Sequence, residues 1–291
     1  MSWRTVVIGS NAKLDYKMEY LVVRTLEEVK RIHLSEIGVL ILESTAVSLT
    51  SYLMCELVQR KIKVIVCDHE RNPCAELIPT CGCHDGSAKI HQQLKWSEGN
   101  CKQVWTEIVR RKIQCQKNHL ERRGFAQAEY LEEYLEQLQW NDSTNREGLA
   151  AKVYFGALFG GRFTRTEDCP INAALNYGYS LLLSVINREI SAAGYLNQLG
   201  ICHQNTYNPF NFGCDLIEPL RPIVDSAVAD LNPQKFEKEE KLVLLGLFNK
   251  EVQYDGKKQY LLYAIRLYCN SIFRSLESGE ISEIKWIEYG R

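Results

Sequence analysis

The sequence predicts an α+β protein, with a small β-rich N-terminal domain over residues 1–70, a linker over 71–87 and a larger, mainly α-helical domain over 88–291. Three observations predict this division. Strand-length segments rich in β-branched residues fill the first part. Apolar residues recur at helical spacing in the last part. Between them, from Asp68 to Ser87, charge, two prolines, two glycines and a cysteine group crowd together, a composition that marks a connection.

In the first part, Thr5 to Gly9, Leu14 to Val23, Arg31 to Leu34, Gly38 to Leu42 and Lys63 to Cys67 read as strands. A helix from Leu49 to Arg60 interrupts them, with Ser48 placed to cap it and Leu49, Leu53, Leu57 and Val58 on one face. Beyond the linker, Ala88 to Asn118 and Glu121 to Gln139 are helix-length, and the turn-forming run Trp140 to Asn145 breaks the pattern. A further helix starts near Arg146. Another runs from Pro170, a residue suited to a first helical turn, to a stop at Gly194. Leu242 to Phe248 and Leu261 to Leu276 continue the helices, and the Asp255-Gly256 turn inside Val252 to Tyr260 predicts a hairpin.

With 45% hydrophobic and 24% charged residues in 291, the composition is that of a globular chain and excludes disorder, collagen and coiled coil. No run approaches the roughly 18 apolar residues of a membrane span. The start of the chain does not read as a signal peptide, so a cytoplasmic location is expected. The eleven cysteines are scattered and odd in number, which favours reduced thiols. Cys74, Cys81, Cys83 and His84 form the one group that spacing allows to be tested for zinc, but C-x-C is not the usual knuckle.

The net charge of −1 predicts no polyanion partner, yet Cys101 to Phe125 carries a local excess of five positive charges. Lys102, Arg110, Arg111, Lys112, Lys117, Arg122 and Arg123 supply it. Such a strip is either a solvated helix face or a track for phosphates.

Two stretches carry candidate chemistry. In Asn-Arg-Glu-Gly-Leu-Ala-Ala-Lys-Val-Tyr-Phe155, Glu147 opens a helix whose same face holds Ala150, Ala151 and Tyr154. It reads either as an acid favouring the positive helix end or as a ligand beside small residues that let the helix bearing Glu218 approach. The second stretch runs from Gly200 to Asp225: His203 lies in an Asn- and aromatic-rich loop, and Asp215 and Glu218 follow at i,i+3. Acids converging without lysines among them repel unless protonated or bridged by a cation. Glu147, His203 and Glu218, with Asp215 as a further acid, offer oxygen and imidazole donors suited to Mg²⁺ or Mn²⁺.

The Asn145 to Phe155 stretch, the Ile171 to Leu182 helix and the loop from His203 to Pro222 resemble the CRISPR-associated Cas1 family of spacer-acquisition integrases. Trp3 to Ile8 and Ile32 to Ile37 further resemble members from type II systems. The resemblance implies a helical catalytic domain and a metal site at Glu147, His203 and Glu218, where many relatives carry aspartate at the last position. Asp215 matches an acid of less uniform role. The implied reaction is insertion of prespacer DNA at the CRISPR repeat by 3′-hydroxyl transesterification, with Arg146, Arg162, Arg165 and Arg221 as candidate phosphate contacts. The implied partners are DNA, a second copy in a homodimer and a Cas2 dimer bridging two such dimers. The type II effector nuclease and an accessory acquisition factor are implied as well. Three other readings compete: a tyrosine recombinase, a general metal-dependent endonuclease, and a catalytically silent DNA-binding scaffold.

Overall fold

The computed structural model describes residues 4–69, 71–77 and 85–290. The N-terminal part is built from β1 (Arg4–Ile8), β2 (Ala12–Lys17), β3 (Tyr20–Arg24), β4 (Val29–His33), β5 (Ile37–Leu42), β6 (Val47–Leu49), α1 (Ser51–Gln59), β7 (Lys63–Cys67) and β8 (Pro73–Glu76). These strands form two four-stranded sheets, in the orders β4-β3-β2-β6 and β1-β5-β7-β8.

Residues 14–23, read from the sequence as one strand, are two. Met18 and Glu19 both adopt positive φ (49° and 70°) and turn β2 back antiparallel onto β3. A two-residue hairpin needs that backbone, but Met and Glu carry none of the Asn-Gly signal that announces it. The α1 cap also lies two residues later than predicted. Ser48 pairs within β6, and Thr50 accepts the hydrogen bond from Leu53 N at 3.3 Å.

β5 explains how the two parts join. All six of its residues are buried, as expected of a strand covered on both faces. Successive side chains point to opposite faces. From Val39 onward they alternate, Val39 and Ile41 entering the helical core and Leu40 and Leu42 the N-terminal core, while Ile37, before a shift in the β1 register, also enters the N-terminal core. The segment that composition marked as a linker contributes a strand to this sheet: β8 pairs antiparallel with β7. Its Glu76 pairs with the buried ammonium of Lys63 and accepts from Ser184 Oγ at 2.9 Å.

The helical part comprises α2 (Gly86–Gln93), α3 (Glu98–Arg122), α4 (Ala128–Glu136), α5 (Arg146–Phe159), α6 (Pro170–Ala192), α7 (Asn211–Ile217), α8 (Arg221–Leu231), α9 (Lys238–Leu245) and α10 (Leu261–Ser278). The predicted helix 88–118 is broken, because Ser97 caps a new start at α3 through Asn100 N, 3.0 Å away. α3 then runs past the predicted boundary to Arg122, and Gly124 at φ 74° ends it. The Asp255-Gly256 hairpin forms as β9 (Glu251–Tyr254) and β10 (Lys257–Tyr260), and β11 (Ile287–Glu288) adds to the other edge of β9.

α3 is the axis of this part. It packs against α4, α5, α8 and α10 and against the short 3-10 turn Glu218–Leu220. Its middle is therefore surrounded by the elements that carry the candidate acids.

Because Lys63 is only 1% exposed, Glu76→Ala leaves a buried ammonium without its carboxylate and is expected to cost about 3 kcal/mol in urea unfolding. Lys63→Met combined with Glu76→Leu is expected to recover most of that loss; a double variant as unstable as the single one contradicts the assignment.

Candidate active site

α5 starts without help from the Glu147 side chain. Asn145 takes the left-handed conformation (φ 52°) and makes no side-chain cap. The Asp142 carboxylate caps instead, accepting from Arg146 N at 2.7 Å and from Glu147 N at 3.1 Å. Gly148 leaves room for the folded-over Asn145 amide, which stands 2.8 Å from where a Cβ would be and would have to turn aside for one. With capping done elsewhere, the Glu147 carboxylate is free to reach inward.

It reaches Lys112. The Lys112 ammonium, buried at mid-α3, donates to Glu147 Oε1 and to Glu218 Oε2. Glu218 Oε1 accepts from Arg221 Nε at 2.8 Å. A lysine thus stands between the acids, contrary to the sequence-level expectation. Burial opposes charge on Glu218, but Lys112 and Arg221 outweigh it and hold the carboxyl down at about 2. Burial likewise opposes the Lys112 charge, and the two carboxylates raise its pKa above the ordinary value. Ala150 is fully buried, and α5 packs on α3 and α4. The small residues of α5 thus make room for the lysine-bearing helix rather than for the helix carrying Glu218.

His203 and Asp215 form a second unit. Asp215 is fully buried and accepts from the backbone N–H of Ile201 (2.6 Å), Cys202 (3.2 Å) and His203 (3.0 Å) and from His203 Nδ1 (2.7 Å). Four donors occupy its oxygens, so Asp215 shapes the loop and fixes the imidazole. Gly200 lets the chain close on it: a Cβ there would sit 2.7 Å from Asp215 Oδ2 and collide with the His203 carbonyl. The Asp215 hydrogen bond raises the His203 pKa, burial opposes it, and Glu218 and Glu147 add to the rise from farther away. The His203 side chain is partly exposed, and its ring stands nearly perpendicular to that of Trp105, 5.6 Å between centres.

Among the described residues, no three acidic, histidine or cysteine side chains stand close enough together to hold a metal ion. Two carboxylates nevertheless converge on a single positive charge. The Lys112 ammonium occupies the position of a cation between them, and the oxygen donor set fits Mg²⁺ or Mn²⁺.

A cleft of about 240 Å³ opens beside this pair, lined among others by Gln116, Arg165, Tyr179, Arg221 and Asp225. Arg221 and Arg165 lie over the Tyr179 ring, at 4.6 and 5.4 Å from its centre. The Tyr179 hydroxyl donates to Asp225 Oδ1. Burial holds the Tyr179 hydroxyl well above its ordinary pKa and pushes the Asp225 carboxyl up to about 7. Tyr154 lies beside Asp225, and its hydroxyl is 2.7 Å from His119 Nδ1. Burial and the neighbouring Arg123 keep His119 neutral, with a pKa of about 4. Asp225 and Tyr179 were not anticipated from the sequence; their one signal is that Asp225 follows Arg221 by four residues on α8, which places both on one face.

The structure brings Arg221 and Lys112 to the acids, sets Arg165 in the same cleft with its guanidinium on the Asn172 and Asn176 side-chain oxygens, and leaves the other cations elsewhere. Arg146 lies over the Tyr134 ring of α4 at 5.7 Å, and Arg162 is exposed beyond the end of α5. Arg110 pairs with Glu107 at 3.3 Å, Arg111 donates to the Ile287 carbonyl at 2.9 Å, and Arg122 donates to the Tyr289 carbonyl at 3.2 Å. Arg123 bonds His119 and Asp230. Lys112, grouped by sequence with an exposed strip, is instead a buried member of the site. Cys74 is exposed on β8, and Cys81, Cys83 and His84 lie outside the described residues.

The chain is similar to proteins of one known family. A family model described as CRISPR associated protein Cas1 matches residues 5–251. The chain is 35% identical over 235 residues to a CRISPR-associated endonuclease Cas1 of Neisseria meningitidis serogroup C, covering 80% of this chain and 77% of that one. Among solved structures, it resembles a casposase bound to integration product (TM-score 0.75, 19% identity, 97% of this chain and 92% of that one). It also resembles a CAS1 protein from Thermotoga maritima (TM-score 0.74, 18% identity, 96% and 97%). A third likeness is to a Cas6-RT-Cas1–Cas2 complex chain (TM-score 0.74, 16% identity, 99% of this chain and 36% of that one). At these identities the solved structures show the fold.

The Asp225 carboxyl yields a pH prediction. Its unfolded counterpart ionises near 4 and the folded group near 7, so its buried charge destabilises progressively as pH rises between those values and fully above them. Asp225→Asn removes that cost, and its Tm relative to the parent is expected to improve between about pH 5 and about pH 8. A difference that does not change with pH contradicts the assignment.

Proposed function

The chain belongs to the CRISPR-associated Cas1 family, and from that premise we propose that it is a DNA integrase of CRISPR adaptation. It joins the 3′-hydroxyl of a short prespacer to a phosphodiester at the CRISPR repeat by direct transesterification. The observation that carries the reading is the convergence of Glu147 and Glu218 on one positive charge beside an arginine-lined cleft. Support also comes from the endonuclease name of the Neisseria relative and from the casposase bound to integration product.

Glu147, Glu218 and His203 would hold Mg²⁺ or Mn²⁺, which when bound supplies Lewis acidity at the phosphate and stabilises charge on the attacking and leaving oxygens. The remaining work falls to the chain itself. Asp215 fixes His203 through Nδ1 and so presents Nε2. Arg165 and Arg221, both seated on Tyr179, offer guanidinium groups to the non-bridging phosphate oxygens. Burial keeps the Tyr154 and Tyr179 hydroxyls protonated, which opposes a tyrosine nucleophile and a covalent protein–DNA link.

The same reading makes the working unit a homodimer, with two dimers bridged by a Cas2 dimer and prespacer DNA spanning them. The likeness to a chain from a Cas1–Cas2 complex supports it.

In a strand-transfer assay with labelled prespacer and repeat DNA, Glu147→Ala is expected to lower the rate by at least about 100-fold, or about 2.7 kcal/mol, with DNA binding retained. Unchanged transfer in Mn²⁺ would make the acids structural and leave a DNA-binding scaffold. Asp215→Asn sets an amide NH2 against two of the four donors that the carboxylate now serves, which loosens the loop and the hold on His203 together, and a loss of about 10- to 100-fold is expected. Full activity in that variant would show that the imidazole needs no orientation.

A further inference from the structure

Lys112 does more than fill space, because it donates to the oxygens of Glu147 and Glu218 that a divalent cation needs. Its charge cannot stay there when such an ion arrives. With Lys112 and Arg221 both in place, a divalent ion would leave the two carboxylates outnumbered by two positive charges, in surroundings where Glu218 is 4% exposed and Lys112 6%. Unbalanced buried charge is costly. The lysine and the ion would compete for the same oxygens.

The structure contains a place for it to go. Gln116 follows Lys112 by four residues on α3 and so lies on the same helix face. Gln116 Oε1 is buried and makes no hydrogen bond among the described residues; Asp225 Oδ2 is buried with no donor in full hydrogen-bond geometry, although the Tyr154 hydroxyl acts on the same carboxyl. Both residues line the cleft that Lys112 also lines. Tyr179 donates to the other oxygen of Asp225; His119 Nε2 accepts from Arg123, so its Nδ1–H donates to Tyr154 and the Tyr154 proton is left to face Asp225, whose carboxylate the lysine would share with the two hydroxyls. Buried acceptors without a donor cost free energy, and an ammonium has three donors to give. The rise of the Asp225 pKa to about 7 fits a carboxyl that lacks a full counter-ion in this state.

We propose that Lys112 is a two-station counter-ion, holding Glu147 and Glu218 together until a divalent cation replaces it and then moving to Gln116 Oε1 and Asp225 Oδ2. The inference rests on the metal-site reading above and adds that cation entry is coupled to lysine exit. Lys112 is thereby a positioning residue. It keeps two carboxylates on different elements at a shared point, and it sets the apparent cation affinity by competing for the same oxygens.

Competition lowers apparent affinity by the fraction of molecules whose site is open. Mn²⁺ titration calorimetry on the full chain is expected to show binding tightened about tenfold or more in Lys112→Met, with a larger Mn²⁺-induced rise in Tm than in the parent. Lys112→Arg retains the charge, and its Mn²⁺ affinity should stay at or below the parent's. Asp225→Asn weakens the second station and should lower Mn²⁺ affinity when Lys112 is present, with no effect in the Lys112→Met background. Should Lys112→Met fail to fold, Asp225→Asn and Lys112→Arg carry the test, and an affinity equal to or above the parent's in Asp225→Asn, or above it in Lys112→Arg, overturns the proposal. Equal affinity in the parent and in folded Lys112→Met also overturns it. Glu147→Gln separates the two levels. If Mn²⁺ binds the parent and Glu147→Gln abolishes binding, the metal site stands whatever Lys112 does. If no folded variant binds Mn²⁺, both the site and the counter-ion role fail.

Discussion

Two carboxylates from separate elements, Glu147 at the start of α5 and Glu218 in the turn between α7 and α8, meet on one lysine in the middle of α3. Like charges brought this close inside a protein repel strongly. The meeting is possible only because a cation lies between them. The requirement sets the packing around it. α3 must run between α5 and the Glu218 turn, and Ala150 must be small where α5 lies on α3. Arg221 must supply the second positive charge that holds Glu218 ionised although it is buried.

Three further carboxylates near this pair have different work. Asp142 spends its oxygens on the first backbone N–H groups of α5 and so releases Glu147 from capping. Asp215 is saturated by four donors and acts on His203 rather than on any ion. Asp225 faces only the hydroxyls of Tyr179 and Tyr154, two donors against the four of Asp215, and is the acid with capacity left. Composition cannot distinguish these roles, since the residues share one chemistry. Hydrogen-bond saturation distinguishes them: a carboxylate with every lone pair occupied has none left for a ligand.

Periodicity read the helical half well, because long amphipathic helices repeat their apolar face many times. α6 and α10 lie within a few residues of their predicted ends for that reason. Short signals were read less well. The Met18-Glu19 turn uses residues that seldom adopt positive φ, and Ser97 restarts a helix where the apolar spacing runs on without a break. β8 was hidden in a polar stretch because an edge strand of four residues needs little apolar content. Of the site, Glu147, His203 and Glu218 could be grouped by resemblance, and the structure adds what resemblance did not supply. Lys112 sat in a run of exposed-looking cations, and nothing local marks the one that turns inward. Its burial is decided by which helices pack around α3, a property of the whole fold. Arg111 and Arg122 show the converse, since carbonyls of residues 287 and 289, about 170 positions away, take up their donors.

Glu147 and Glu218 share one cation, the Lys112 ammonium, and the proposal makes that lysine and a divalent ion mutually exclusive occupants. Anomalous diffraction from crystals of this chain grown with Mn²⁺ tests that exclusion most directly. The account predicts a manganese peak between the two carboxylates, with His203 Nε2 turned toward it and the Lys112 ammonium withdrawn toward Gln116 and Asp225. A manganese peak only elsewhere, or one beside a Lys112 still bridging both acids, would contradict it.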